Sequence, residues 1–80
     1  MENKKHNIIV YSTPTCPYCT MVKGYFAEKG IEFKDVNVAA NHAAAAEMVE
    51  KSGQMGVPVI DVDGKIIVGF RPDVLGKLVS

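Results

Sequence analysis

The sequence predicts an α/β fold in the order β-α-β-α-β-β-α, built on a mixed sheet. Three observations carry this. An apolar run, Ile8 to Tyr11, passes through a turn-forming stretch into an amphipathic segment that opens with Pro17. A second strand-helix unit follows at once. Two short apolar strands then flank Asp63-Gly64, the strongest short-range hairpin signal, because both positions accept the positive φ angles of a type I′ turn. Strands one and two must then be parallel through a right-handed crossover, and the last two antiparallel.

Each element can be justified in turn. The first helix is expected over about residues 17 to 29, with Met21, Val22, Tyr25 and Phe26 buried and Thr20, Lys23 and Glu28 facing water. Pro17 suits the first helical position, where no N–H is needed, and Gly30 suits the C-terminal stop; Gly24 weakens the helix interior. Strand two spans Ile31 to Val38, but its alternation changes phase between Phe33 and Val36, which predicts a bulge, an edge position or an early end. Asn41 is the N-cap of the second helix, which takes Ala43 to Ala46, Met48 and Val49 and stops near Ser52 and Gly53. The alanines read as packing residues, and Met21 and Met48 as core fillers. The hairpin runs from Val57 to Val68 and Gly69 closes it. A last helix starts at Arg71, Pro72 and Asp73 and runs to about Val79, weakened by Gly76.

Composition bounds what the chain can be. Eighty residues, 48% hydrophobic and 22% charged, suit one small globular domain over residues 1–80. Nine basic residues balance nine acidic ones with no basic patch beside aromatics, which argues against nucleic acid or an anionic membrane as partner. No apolar run approaches signal-peptide or membrane-spanning length, so the chain is read as cytoplasmic. It is also read as a monomer, since no helix looks like an exposed interface.

Cys16-Pro17-Tyr18-Cys19 lies at the junction of first strand and first helix. A Cys-x-x-Cys pair beside a strand-helix-strand pattern, in a chain without secretory features, reads as a thioredoxin-like redox motif. At or beside the N-cap, Cys16 faces the unpaired N–H groups of Tyr18 and Cys19, and these together with the helix dipole stabilise a thiolate. Cys16 is therefore the expected nucleophile and Cys19, one turn deeper on the same face, the resolving thiol. Two other readings compete with this one. A structural staple across so short a loop stabilises by only about 2 kcal/mol. A metal site lacks its other half, since neither His6 nor His42 has zinc-ligand spacing.

The segments YSTPTCPYC, EMVEKSG, GVPV and DGKIIVGF in combination resemble the glutaredoxin family over nearly the whole chain. The resemblance implies a thioredoxin-like fold with a four-stranded mixed sheet in order 2-1-3-4, three helices on its two faces, and a cis bond before Pro58. It implies a thiol-disulfide oxidoreductase of cell redox homeostasis that uses glutathione as reductant, acts on protein disulfides and glutathionylated proteins, and needs no metal. Cys16 and Cys19 would be catalytic. Val57, beside Pro58 and after Gly56, would pair its backbone with extended glutathione, and Tyr18 would line the groove.

Two departures qualify it. Thr13 stands where many members place a lysine, and Gly69-Phe70-Arg71-Pro72-Asp73 replaces an acidic stretch, so Arg71 becomes the candidate to clamp a carboxylate, helix-start N–H groups near Asp73 can receive the same anion, and Phe70 counts with them as a substrate-binding candidate. That GFRPD stretch is similar to the glutaredoxin-like electron donors to ribonucleotide reductase. This second resemblance implies electrons from thioredoxin reductase and ribonucleotide reductase as a partner. The iron-sulfur carriers of the family are a minor alternative, since their motif, CGFS, keeps one cysteine.

Overall fold

In the computed structural model, which describes residues 7–79, the elements follow the expected order: β1 (Ile8–Ser12), α1 (Pro17–Glu28), β2 (Lys34–Asn37), α2 (His42–Ser52), β3 (Val59–Val62), β4 (Lys65–Val68) and α3 (Pro72–Val79). The sheet order is β2-β1-β3-β4, with β1 and β2 parallel and the other two pairings antiparallel. His6 lies outside the described residues.

Period-two alternation divides β1 between two cores. Ile8 and Val10 join Ile60, Val62 and Ile67 beneath Val22 and Phe26 of α1 and Leu75 of α3. Tyr11 joins Val59 and Met48 of α2 on the opposite face, with Ile9, Val36 and Ile66 packed around them. The two faces also explain the broken alternation of the second strand segment. Ile31 and Phe33 pack into the α1 and α3 core, whereas Val36 and Val38 pack beneath α2. No bulge is needed; the strand is short and lies at the sheet edge.

Helix ends follow the local chemistry. The Asn41 side chain accepts the Ala44 N–H at 3.0 Å. Gly30, at φ 69°, ends α1: its N–H donates to the Ala27 carbonyl and the Ile31 N–H to the Phe26 carbonyl, the paired bonds of a Schellman motif. In the hairpin Asp63 (φ 52°) and Gly64 (φ 92°) both take the left-handed conformation that a type I′ turn requires.

Two expectations need correction. Met21 is 48% exposed and fills no core, because the buried arc of α1 runs through Cys19, Val22 and Phe26 and Met21 flanks it. Lys23 does not simply face water: it is half-buried and ion-paired with Asp35 at 3.1 Å.

Candidate active site around Cys16

β1 and β3 are antiparallel neighbours, with Tyr11 opposite Val59, so the end of β1 and the start of β3 meet at one edge of the molecule. From the first comes the turn that carries Cys16; from the second, the Val57–Pro58 segment, whose peptide bond is cis. Residues 41 positions apart are thereby joined: the Cys16 thiol donates to the Val57 carbonyl at 3.7 Å.

Cys16 is the N-cap of α1, with extended backbone and Pro17 at the first helical position. Its sulfur accepts the Cys19 N–H at 3.3 Å. Burial on its own pushes this thiol up, but a hydrogen bond from the Cys19 thiol, others from the Cys19 and Tyr18 N–H groups, and the positive charge of Lys23 together hold it below the ordinary thiol value. Cys19 is fully buried. That burial, its hydrogen bond to Cys16 and the repulsion between two thiolates push it up to about 11, although a backbone hydrogen bond at Thr13 and the Lys23 charge work the other way. Both cysteines are free thiols. One is primed to ionise and the other to stay protonated.

The other candidate residues fall into three groups. Val57 meets Cys16 through its carbonyl, with Gly56 and Pro58 on either side of it in the chain, and Thr13 meets Cys16 through its backbone, its carbonyl accepting the Cys16 N–H at 3.4 Å. Tyr18 stands on the rim, 59% exposed. The segment after β4 arrives beside Pro58, because the Gly69 N–H donates to the Pro58 carbonyl at 2.9 Å. Beyond that bond the Phe70 ring turns inward, edge-on to Tyr25 at 6.0 Å, while Arg71 and Asp73 remain exposed at the head of α3.

Two contributors escape a reading of the sequence. Gln54 grips the backbone of Gly56 from both sides, its Oε1 accepting the Gly56 N–H at 2.7 Å and its Nε2 donating to the Gly56 carbonyl at 3.0 Å. This fixes the residue just before Val57, and no motif announces it. Lys23 left a weak signal, since it follows Cys19 by one helical turn on the same helix face. Among the described residues no cluster of three or more His, Cys, Asp or Glu side chains could hold a metal ion, and no helix is long and apolar enough to cross a membrane.

Known proteins are similar to this chain in sequence and in fold. The glutaredoxin family model matches residues 8–67. An uncharacterised glutaredoxin-like 8.6 kDa protein from the rubredoxin operon of Clostridium pasteurianum is 51% identical over 73 residues, covering 91% of this chain and 97% of the relative. The glutaredoxin-like protein NrdH of Lactococcus lactis subsp. cremoris is 39% identical over 74 residues, covering 89% of this chain and 97% of its own. Among solved structures, NrdH-redoxin from Escherichia coli superposes with a TM-score of 0.81 at 28% identity, over 92% of this chain and 96% of that one.

Proposed function

The chain belongs to the glutaredoxin family of thiol-disulfide oxidoreductases, and on that premise we propose that it reduces protein disulfides through Cys16 and Cys19 as a donor of the NrdH kind. The observation that carries the reading is the placement of a low-pKa N-cap thiol 3.7 Å from the backbone carbonyl of Val57.

The Cys16 thiolate attacks one sulfur of a substrate disulfide. The substrate S–S bond breaks, a Cys16–substrate mixed disulfide forms, and the other substrate sulfur departs as a thiolate that takes up a proton. Val57 offers its backbone to the extended segment around the substrate cysteine, a strand-addition contact indifferent to side chains. Cys19 then loses its proton and attacks the Cys16 sulfur, releasing the second substrate thiol and leaving a Cys16–Cys19 disulfide. Two electrons have moved. The geometry supports this order, because the hydrogen bond and charge of Cys16 help keep Cys19 protonated. Both influences vanish once Cys16 is in the mixed disulfide, so Cys19 becomes a better nucleophile when it is needed.

Thioredoxin reductase is the proposed source of electrons, and ribonucleotide reductase belongs to the class of protein partner this reading suits. Likeness to NrdH over nearly the whole length supports it, as does the Gly69–Asp73 stretch. So does likeness to the solved NrdH-redoxin, a glutaredoxin-like protein with a thioredoxin-like activity profile. The CPYC motif favours a second reading, in which glutathione is the reductant and its backbone pairs with Val57.

NADPH consumption separates the two. The protein is offered a protein disulfide with thioredoxin reductase and, in parallel, a small glutathione mixed disulfide with glutathione and glutathione reductase. Turnover in the first arm alone is the expected result. Turnover in the second alone assigns Val57 and Arg71 to the tripeptide, and silence in both rejects oxidoreductase chemistry at Cys16.

A further inference from the structure

Cys16 caps α1 and Cys19 lies in its first turn, but the fold ties them to an edge strand as well. Lys23 lies one helical turn beyond Cys19, half-buried. Its ammonium meets Asp35 Oδ2 at 3.1 Å. The other oxygen of that carboxylate accepts the Ser12 hydroxyl at 2.8 Å, and Ser12, 2% exposed, is the last residue of β1, from which the Cys16 turn departs. The sheet register explains the meeting: Asp35 is opposite Val10, whose side chain faces the α1 core, so Asp35 points to the same side as α1. Thr13, where a positive charge would stand closer in sequence to Cys16, is neutral.

We propose that Lys23 is the electrostatic positioning residue of the Cys16 thiolate, and that Asp35, anchored by Ser12, draws part of its charge away. The proposal rests on the reading of Cys16 as the reactive thiol. Lys23 follows Cys19 by one helical turn and the N-cap Cys16 by two, on one face of α1, so its positive charge favours ionisation of both thiols. Its field is not undivided. A carboxylate in contact with the ammonium partly neutralises it at the distance of the sulfur, as opposite charges in a close pair must. The buried Ser12 hydroxyl fixes the carboxylate where that cancellation occurs.

The consequence is a pair of changes with opposite signs, which common structural damage cannot imitate. The test is the rate of Cys16 alkylation by iodoacetamide across pH in the reduced protein, with the modified residue identified by mass spectrometry. Lys23→Gln should slow alkylation at pH 6 by roughly two- to fivefold, the range expected of a partly exposed charge contact. Asp35→Asn should accelerate it, and Lys23→Arg should keep the wild-type rate. An unchanged rate in Lys23→Gln overturns the proposal. So does slowing in both Lys23→Gln and Asp35→Asn. If Cys16 is not the reactive thiol at all, the wild-type protein itself will alkylate with the profile of an ordinary cysteine, which separates that failure from failure of the Lys23 assignment.

Discussion

Cys16 and Cys19 stand one helical turn apart, yet their surroundings drive their acidities apart. Cys16 takes hydrogen bonds from the Cys19 thiol and from two N–H groups at the open end of α1. Cys19 sits one turn inside, where the side chain is sealed from solvent and a backbone hydrogen bond at Thr13 does not offset that burial. The thiolate is the deprotonated form, so a lowered value means that Cys16 gains reactivity at lower pH than the same thiol would without these hydrogen bonds. Cys19 should resist alkylation in the folded, reduced protein until the pH approaches about 11. A pH series of alkylation rates read by mass spectrometry checks both. Cys19→Ala goes further: it removes the thiol donor but leaves the backbone donors, so the Cys16 inflection should move up without reaching that of an unfolded cysteine. An unmoved inflection would mean that the backbone N–H groups alone set it.

The glycines of α1 and α3 look alike in the sequence, both being penalties inside a helix, and the structure separates them. Nothing lies within 4 Å of a side chain added at Gly24. Gly24→Ala should therefore stabilise the protein by about 0.5–1 kcal/mol, the helix propensity difference, read as a higher denaturation midpoint. At Gly76 the added carbon would stand 3.3 Å from the Tyr25 hydroxyl, which donates to the Pro72 carbonyl and so ties α1 to the head of α3. Gly76→Ala should gain nothing in the wild type, but should recover its propensity gain in a Tyr25→Phe background. This difference is invisible in the sequence because it depends on a partner 51 positions away. Features set by neighbouring residues are legible there: the Asn41 cap, the Gly30 stop, the Asp63-Gly64 turn and the Cys16 N-cap. Met21 departs from expectation because helical periodicity defines an arc but not its centre, and the sheet beneath α1 centres it on Val22.

At the scale of the molecule, the candidate site exists because β1 ends where β3 begins, and only the resemblance to a known family could join Cys16 to Val57 without sight of the sheet. A second long-range junction left no motif at all. Lys51, in the last turn of α2, donates to Asp61 Oδ2 of β3 at 2.8 Å and to the hydroxyl of buried Tyr11 of β1 at 2.9 Å, and the Gly64 N–H of the hairpin occupies the other Asp61 oxygen at 2.8 Å. One side chain thus fastens α2 to both central strands. Asp61 is 7% exposed, so removing its cation leaves a carboxylate nearly dry, with the hairpin N–H as its remaining side-chain partner among the described residues. Lys51→Met should cost about 2 kcal/mol, less than a fully buried pair because the Lys51 side chain keeps 27% of its exposure. The hydrogen bonds to Asp61 and Tyr11 outweigh burial and raise the Lys51 pKa above the ordinary lysine value. A base whose folded value is raised stabilises fully below its unfolded value, about 10.4, and loses that contribution as pH climbs from there toward the folded one. The stability gap between wild type and Lys51→Met, measured by denaturant unfolding, should therefore stay constant from pH 7 to about 10 and narrow only above that. A gap that is small and stays flat as pH climbs past 10 would mean that Lys51 is not held by Asp61 in solution, and that α2 is fastened to the sheet by Met48 and its apolar neighbours alone.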